Sequence, residues 1–258
     1  MIILATLCAA SLPSLAPAQE LIPQKRFAMY QDTDFAGGDI ASIFDTSLEA
    51  CQRACIANSA CEAFTFNTKN GSCFTKAGGF EQTPFAAAQS GIVLQVGAGA
   101  NARAMLRRTD LNFMPEWEFS TATDQARGLG NVHFSGGTSA EDYTSAARDS
   151  EANGDIIAAL SYRGAATTLT DAAGDWAEYA RLLAAGADYA GDEQRAFLDR
   201  SLSADINAYL RADAPALQHT VLAHMAQTLE RLDRGRDMVK ALRLAQSVQT
   251  RNDTALAL

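Results

Sequence analysis

From Ser139 onward, apolar side chains return every three or four positions, the period of a helix that turns one face to a core. The stretch is rich in Ala and Leu, and Pro215 is its one proline. The period predicts helices near Ala140–Asn153, Asp155–Leu169, Ala173–Ala185, Asp192–Arg211, Pro215–Leu232 and Arg236–Gln249, punctuated by Asp171, Gly174, Gly186, Gly191, Asp213 and Gly235. Helices of this length joined by short turns make helical hairpins, arranged as a solenoid or a bundle. Aligning Asp175-Trp176 with Asp237-Met238 sets Leu160 against Leu222 and Tyr162 against His224, a candidate repeat at 62 residues. Tyr162, Trp176, Tyr179, Tyr189 and Phe197 are expected to pack rather than to cage a ligand. The chain closes on Thr254-Ala255-Leu256-Ala257-Leu258 with no cap, glycine or proline, which reads as an interruption of a longer protein.

The front of the chain is patterned differently. Ala63-Phe64-Thr65-Phe66 and Ser72-Cys73-Phe74-Thr75 are β-prone runs flanking Lys69-Asn70-Gly71, the signature of a hairpin. Upstream, Thr46 as N-cap with Glu49 three residues later forms a capping box and opens a helix from Ser47 to about Ala57, with Asn58 as its stop. Leu48, Cys51 and Cys55 fall at i, i+3 and i+7 on one face of that helix, which the hairpin is expected to cover. The small and polar run from Gly97 to Ala102 marks a boundary. Between it and Gly137 no period is sustained, so 97–137 reads as a linker whose one aromatic knot, Pro115-Glu116-Trp117-Glu118-Phe119, uses Trp117 as an anchor.

At 258 residues the chain has room for two modest domains. The net charge of -9 argues against nucleic acid, whose phosphates demand a dense basic surface, and the dispersed acidic residues make a solvated exterior. The first eighteen residues carry no charge and end in Ala16-Pro17-Ala18, a small-x-small cleavage pattern, so 1–18 reads as a secretory signal peptide, although a basic residue near Met1 is missing. No later run is apolar enough to span a bilayer, which places the mature chain in the periplasm or outside the cell.

Removing Cys8 with the leader leaves Cys51, Cys55, Cys61 and Cys73, an even set in an exported chain, for which disulfides are the expected fate. The spacing C-x3-C-x5-C-x11-C lacks the paired knuckles of structural zinc. A bridge from Cys51 to Cys55 would join consecutive turns of one helix and constrain little. Of the two pairings left, Cys55 to Cys61 with Cys51 to Cys73 ties the helix to the hairpin without crossing, and that pairing is preferred. Closing the two loops contributes about 2 and about 3 kcal/mol in the chain-entropy account, so the small module should depend on oxidation.

Catalytic signatures are lacking. His219 and His224 lie five apart, on different sides of a helix, and neither belongs to H-E-x-x-H. A Walker loop and a Gly-x-Ser-x-Gly elbow are both missing. The sequons at Asn70-Gly71-Ser72 and Asn252-Asp253-Thr254 are read as accidental. The expectation is a non-enzymatic protein with no cofactor and no metal.

The run Asp34-Phe35-Ala36-Gly37-Gly38-Asp39-Ile40, then Ser47-Leu48-Glu49-Ala50-Cys51 with Cys55, then Cys61-Glu62-Ala63-Phe64-Thr65-Phe66, then Cys73-Phe74-Thr75-Lys76 and a closing Ser90-Gly91 resembles the PAN/apple family. The resemblance implies a helix stapled on a small antiparallel sheet, the same nested cysteine pairing, and binding to proteins or carbohydrates. Gly37 to Cys51 is more loosely similar to the amino-terminal region of bacterial alpha-2-macroglobulin-like proteins, which are endopeptidase inhibitors. Their thioester needs a cysteine, and none follows Cys73 here. The fold class expected is α+β: a PAN/apple-like module over 25–96, the linker, and an all-α region over 138–258. The expected function is an exported recognition region of such an inhibitor, binding an extracellular or periplasmic protein or glycan. The alternative is a stand-alone cell-envelope adaptor.

Overall fold

The computed structural model describes residues 20–129 and 138–256, so the expected signal peptide lies outside the described residues. Strands β1 (Lys25–Ala36), β2 (Asp39–Ile43), β3 (Ala63–Asn67), β4 (Ser72–Lys76) and β5 (Glu81–Gln95) form one antiparallel sheet in the order β1-β5-β3-β4-β2, with helix α1 (Leu48–Ala57) between β2 and β3. Strand alternation sends Phe27, Met29, Phe64, Phe66, Cys73 and Val93 to one face, where Leu48, Cys51 and Cys55 of α1 cover them. It sends Ala28, Tyr30, Ala63, Ile92 and Leu94 to the other. On the α1 face Gly91 lies beneath Phe64, where a Cβ would come within 2.5 Å of the ring. A larger residue there would push the ring off its seat.

A buried hydroxyl chain fixes the bend in β1. Ser90 Oγ donates to the Thr33 carbonyl at 2.7 Å, Thr65 Oγ1 lies 2.8 Å from Ser90 Oγ, and the Phe35 amide donates to Thr65 Oγ1 at 3.0 Å. With the Ser90 proton committed to Thr33, Thr65 is the donor to Ser90, and each group finds a partner away from water.

Two local expectations are corrected. Ser47, not Thr46, caps α1, its side chain accepting from the Ala50 amide at 3.2 Å, because the Thr46 amide is held by the Gly71 carbonyl at 3.0 Å. The turn between β3 and β4 spans the four residues 68–71 rather than a tight pair, since Asn67 accepts from the Lys69 amide through its side chain and from the Gly71 amide through its carbonyl. Gly71 is left-handed there (φ 64°), with the Thr46 carbonyl 3.1 Å from where a Cβ would stand.

The remainder is helical: α2 (Ala100–Arg108), a 3-10 turn (Thr109–Leu111), α3 (Glu116–Gly128), α4 (Ala140–Ala152), α5 (Ile156–Thr170), α6 (Ala173–Gly186), α7 (Gln194–Arg211), α8 (Pro215–Arg231) and α9 (Gly235–Leu256). The stretch expected to be a linker thus carries two helices, and its Ala104, Leu111, Met114, Phe119, Ala122 and Ala126 join the large core built with α5 to α9. Small or polar residues on the buried side of α3, including Glu118 and Thr123, hid the period. Trp117 is 61% exposed and anchors nothing; Phe119 turns inward instead, beneath the Arg108 guanidinium. Trp176 and Tyr179 are packed as expected, whereas Tyr189 is 79% exposed.

Helix α7 runs through the middle, in contact with α2, α3, α6 and α8. Its buried polar groups are satisfied by neighbours: Ser201 donates to the Ala180 carbonyl and Asn207 to the Ala122 carbonyl. The segment before the sheet also belongs to this core. Leu21 and Ile22 are buried, their amides both donate to Asn101 Oδ1, and the Leu21 carbonyl accepts from Thr123.

Module and helices meet in two ways. Tyr143, Ala165 and Ala166 of α4 and α5 pack on Ala28, Tyr30, Phe35 and Ala63. Beside this contact Asp171, left-handed at the end of α5, accepts from Trp176 Nε1 at 2.9 Å and Arg211 Nε at 2.8 Å, and its carboxylate lies 3.7 Å from Arg26 of β1.

Truncating Leu21 to Ala should destabilise the helical region by about 2 to 5 kcal/mol, read as a lower denaturant midpoint of the far-ultraviolet helical signal. A second expectation concerns pH. His224 on α8 places Nδ1 2.9 and 3.0 Å from the two oxygens of buried Asp205 on α7. Burial opposes the imidazolium, but the Asp205 carboxylate outweighs it and lifts the His224 pKa above its ordinary value. That contribution is complete below the unfolded-state pKa of about 6.5 and is lost as pH rises through the folded value. Melting temperature should therefore fall from about pH 6 to about pH 8, and His224→Gln should flatten that slope.

Candidate binding site

Cys51 of α1 is bonded to Cys73 of β4, and Cys55 is bonded to Cys61 ahead of β3. All four are fully buried beneath Phe64 and Phe66, so both bridges pin α1 to the sheet and neither reaches the surface. What the staple leaves open is the far margin of the sheet. Helices α4 and α5 cover β1, β5 and β3, while edge strand β2 is exposed over four of its five residues.

On that margin Phe44 is 64% exposed and meets Phe74 of β4 edge-on, with ring centroids 6.4 Å apart; Ile40 is 42% exposed nearby. Lys76 sits below them with only 2% of its surface accessible. Its Nζ donates to the Gly37 carbonyl at 3.2 Å, pairs with Asp39, and stands 6.0 Å from the Phe74 ring centre. A buried ammonium that is already paired holds the turn between β1 and β2 in place, and the aromatic pair is carried on that support. Exposed aromatic rings can bury against an apolar partner or stack on the face of a sugar, and the free edge of β2 can pair with an added strand.

A second surface is the cleft between α1 and α3, about 800 Å³, lined by Glu49, Gln52, Arg53 and Ile56 on one side and Asp124 and Arg127 on the other. Its charges are largely spent on one another, since Arg127 bonds both Glu20 and Asp124 at 3.1 Å. Neither surface is lined by His219 or His224. No group of three or more metal-ligating side chains converges among the described residues. Sequence reasoning singled out the cysteines but not Phe44 or Ile40. The available signal was Ile43-Phe44 directly before the charged cap region, apolar residues with no periodic partner.

Residues 25–92 match the family model of the PAN domain. The five-stranded antiparallel sheet and the disulfides of this part of the chain are consistent with a PAN/apple module, a kind of domain that suggests binding of protein or carbohydrate. The comparisons with curated proteins and with solved structures give no match to the chain. Among the described residues no helix is long and apolar enough to cross a membrane.

Because the longer bridge closes a separation of 22 residues, Cys51→Ser with Cys73→Ser should cost the module about 3 kcal/mol. Hydrogen exchange should quicken in α1 and β3 to β5, while α7 and α8, which contribute to a separate core, stay protected. Equal loss of protection in both regions would show that the module and the helices unfold as one.

Proposed function

We propose that the protein is an exported recognition protein whose PAN module grips an extracellular or periplasmic protein through the β2–β4 margin. The observation that carries the reading is exposed Phe44, backed by half-buried Phe74, on the face of the β2–β4 margin turned away from α1, which the helical region does not cover. Exposed aromatics beside charged neighbours are the composition of binding hot spots rather than of an idle surface. The helical region, packed on the opposite part of the sheet, acts as a scaffold that fixes the module's orientation. The disulfides and the PAN domain both favour an oxidising setting outside the cytoplasm.

The looser resemblance to alpha-2-macroglobulin-like endopeptidase inhibitors would make this region the recognition end of such a protein. Its support is the order of the elements, a stapled module followed by helices. Any protease-trapping chemistry would then belong to sequence other than these 258 residues.

Capture of a partner from cell-envelope or culture extracts by the immobilised chain, and its loss with Phe44→Ser and Phe74→Ser together, is the expected result. Unchanged capture by the doubly substituted protein would remove the margin as the binding surface. Binding to a glycan array with no protein captured would transfer the same rings to carbohydrate recognition.

A further inference from the structure

Where the end of the sheet meets the helices there is a cavity of about 390 Å³ that the proposed protein-binding margin does not use. Four arginines line it, Arg26 of β1, Arg103 and Arg107 of α2, and Arg211 of α7, against a single carboxylate, Asp171. Arg26 and Arg211 are deeply buried, with side chains 2% and 5% accessible. Asp171 is spread thinly between them, bonding Arg211 Nε at 2.8 Å and lying 3.7 Å from Arg26. Among the described residues no acceptor reaches Arg26 Nε, Arg26 Nη1 or Arg211 Nη2. Two buried guanidiniums sharing one carboxylate leave a positive charge and three donors without partners, a costly arrangement in a protein interior.

The backbone adds to the same sign. Residues 170–173 at the amino end of α6 line the cavity, and Ala172 caps that helix with no side-chain oxygen. Gly97 and Ala100 bring in the amino end of α2, whose cap Gly99 also offers none. First-turn amides and the positive end of the helix dipole favour an anion. At the rim, Arg107 bonds Asp213 and the Leu210 carbonyl, and Arg103 lies 4.0 Å from the same Asp213, whose side chain is 72% exposed. A compact anion with several oxygens meets all of these demands together, since charge-assisted bonds from guanidinium forks are strong and directional.

We propose that this cavity is a binding site for a small tetrahedral dianion of the phosphate or sulfate class, free or as the ester of a small molecule. Bound there, the oxyanion takes up the unpartnered nitrogens of Arg26 and Arg211 and bridges the sheet to α6 and α7. It thereby ties the PAN module to the helical region. The inference stands on the cavity alone and is independent of what the Phe44–Phe74 margin binds.

The test is titration of the whole protein with inorganic phosphate, inorganic sulfate, glycerol phosphate and malonate at constant ionic strength, followed by calorimetry and by the arginine Nε–H resonances. Saturable binding of a tetrahedral anion with movement of the Arg26 Nε–H signal is expected, and the glycerol phosphate arm separates an ester from the free ion. Arg26→Gln should weaken binding by about tenfold or more, the worth of a charged hydrogen bond, and Arg103→Glu at the rim should weaken it while leaving the fold intact. If Arg26→Gln fails to fold, the wild-type resonances and Arg103→Glu decide the matter. Responses to phosphate and sulfate no different from that to chloride, an unmoved Arg26 signal, or saturable binding of malonate alone would overturn the proposal.

Discussion

Much of this structure turns on one carboxylate. Asp171 ends α5, holds the indole of Trp176 at the start of α6, fixes the guanidinium of Arg211 at the end of α7, and faces Arg26 on the first strand of the sheet. The Arg211 guanidinium in turn lies over the Trp176 ring, 5.2 Å from its centre. Burial pulls both arginines below their ordinary pKa, and the Asp171 carboxylate opposes that pull. Removing the carboxylate would leave two buried cations facing each other, which is far worse than losing a surface ion pair. The backbone adds a further demand, because Asp171 adopts a left-handed conformation. Glycine would meet that demand without the charge, and glutamate would bring the charge without the ease of the conformation.

The helices after residue 139 were legible because their apolar period is clean and the chain between them is marked by Gly, Asp and Pro. Their bounds fall within a few residues of those expected, except that α9 runs past Gln249 to Leu256, where no breaker intervenes. Helices α2 and α3 were illegible for the opposite reason: apart from Phe119 their buried side is made of Ala, Thr and one ion-paired glutamate, Glu118 with Arg234, so it reads only weakly as apolar. The long strands β1 and β5 were also hidden. Both faces of β1 are covered along its first half, and its register with β5 slips near Asp32, which like Ala87 has a positive φ. Covered faces and a bulge erase the alternation that marks a half-buried strand.

Of the candidate sites, the cysteines could be singled out from spacing alone, because an even set within 23 residues constrains geometry strongly. Phe44 could be read as apolar but not as exposed, since exposure depends on where α4 and α5 stop covering the sheet. The arginine cavity was beyond sequence reasoning altogether. Its four cations come from three distant parts of the chain, β1, α2 and α7, and Asp171 looked like ordinary punctuation between helices. The two surfaces occupy opposite edges of the sheet, one at β2 and β4 and the other at β1 and β5, so occupation of one leaves the other open.

The path of the chain into and out of the sheet has a meaning of its own. Residues 21 and 22 are seated in the helical core before β1 begins, and the chain returns to that core directly after β5. Lys25 lies opposite Gln95, and the Val96 amide bonds the Gln24 carbonyl, so entry and exit stand side by side. The PAN module is thus held on the helical core at both of its ends, by a short segment before β1 and by the chain that leaves β5. A neck of two adjacent strands makes those two attachments a single hinge line, so any tilt of the sheet on the helices must also strain the contacts of Leu21, Ile22 and Val96 with the helical core.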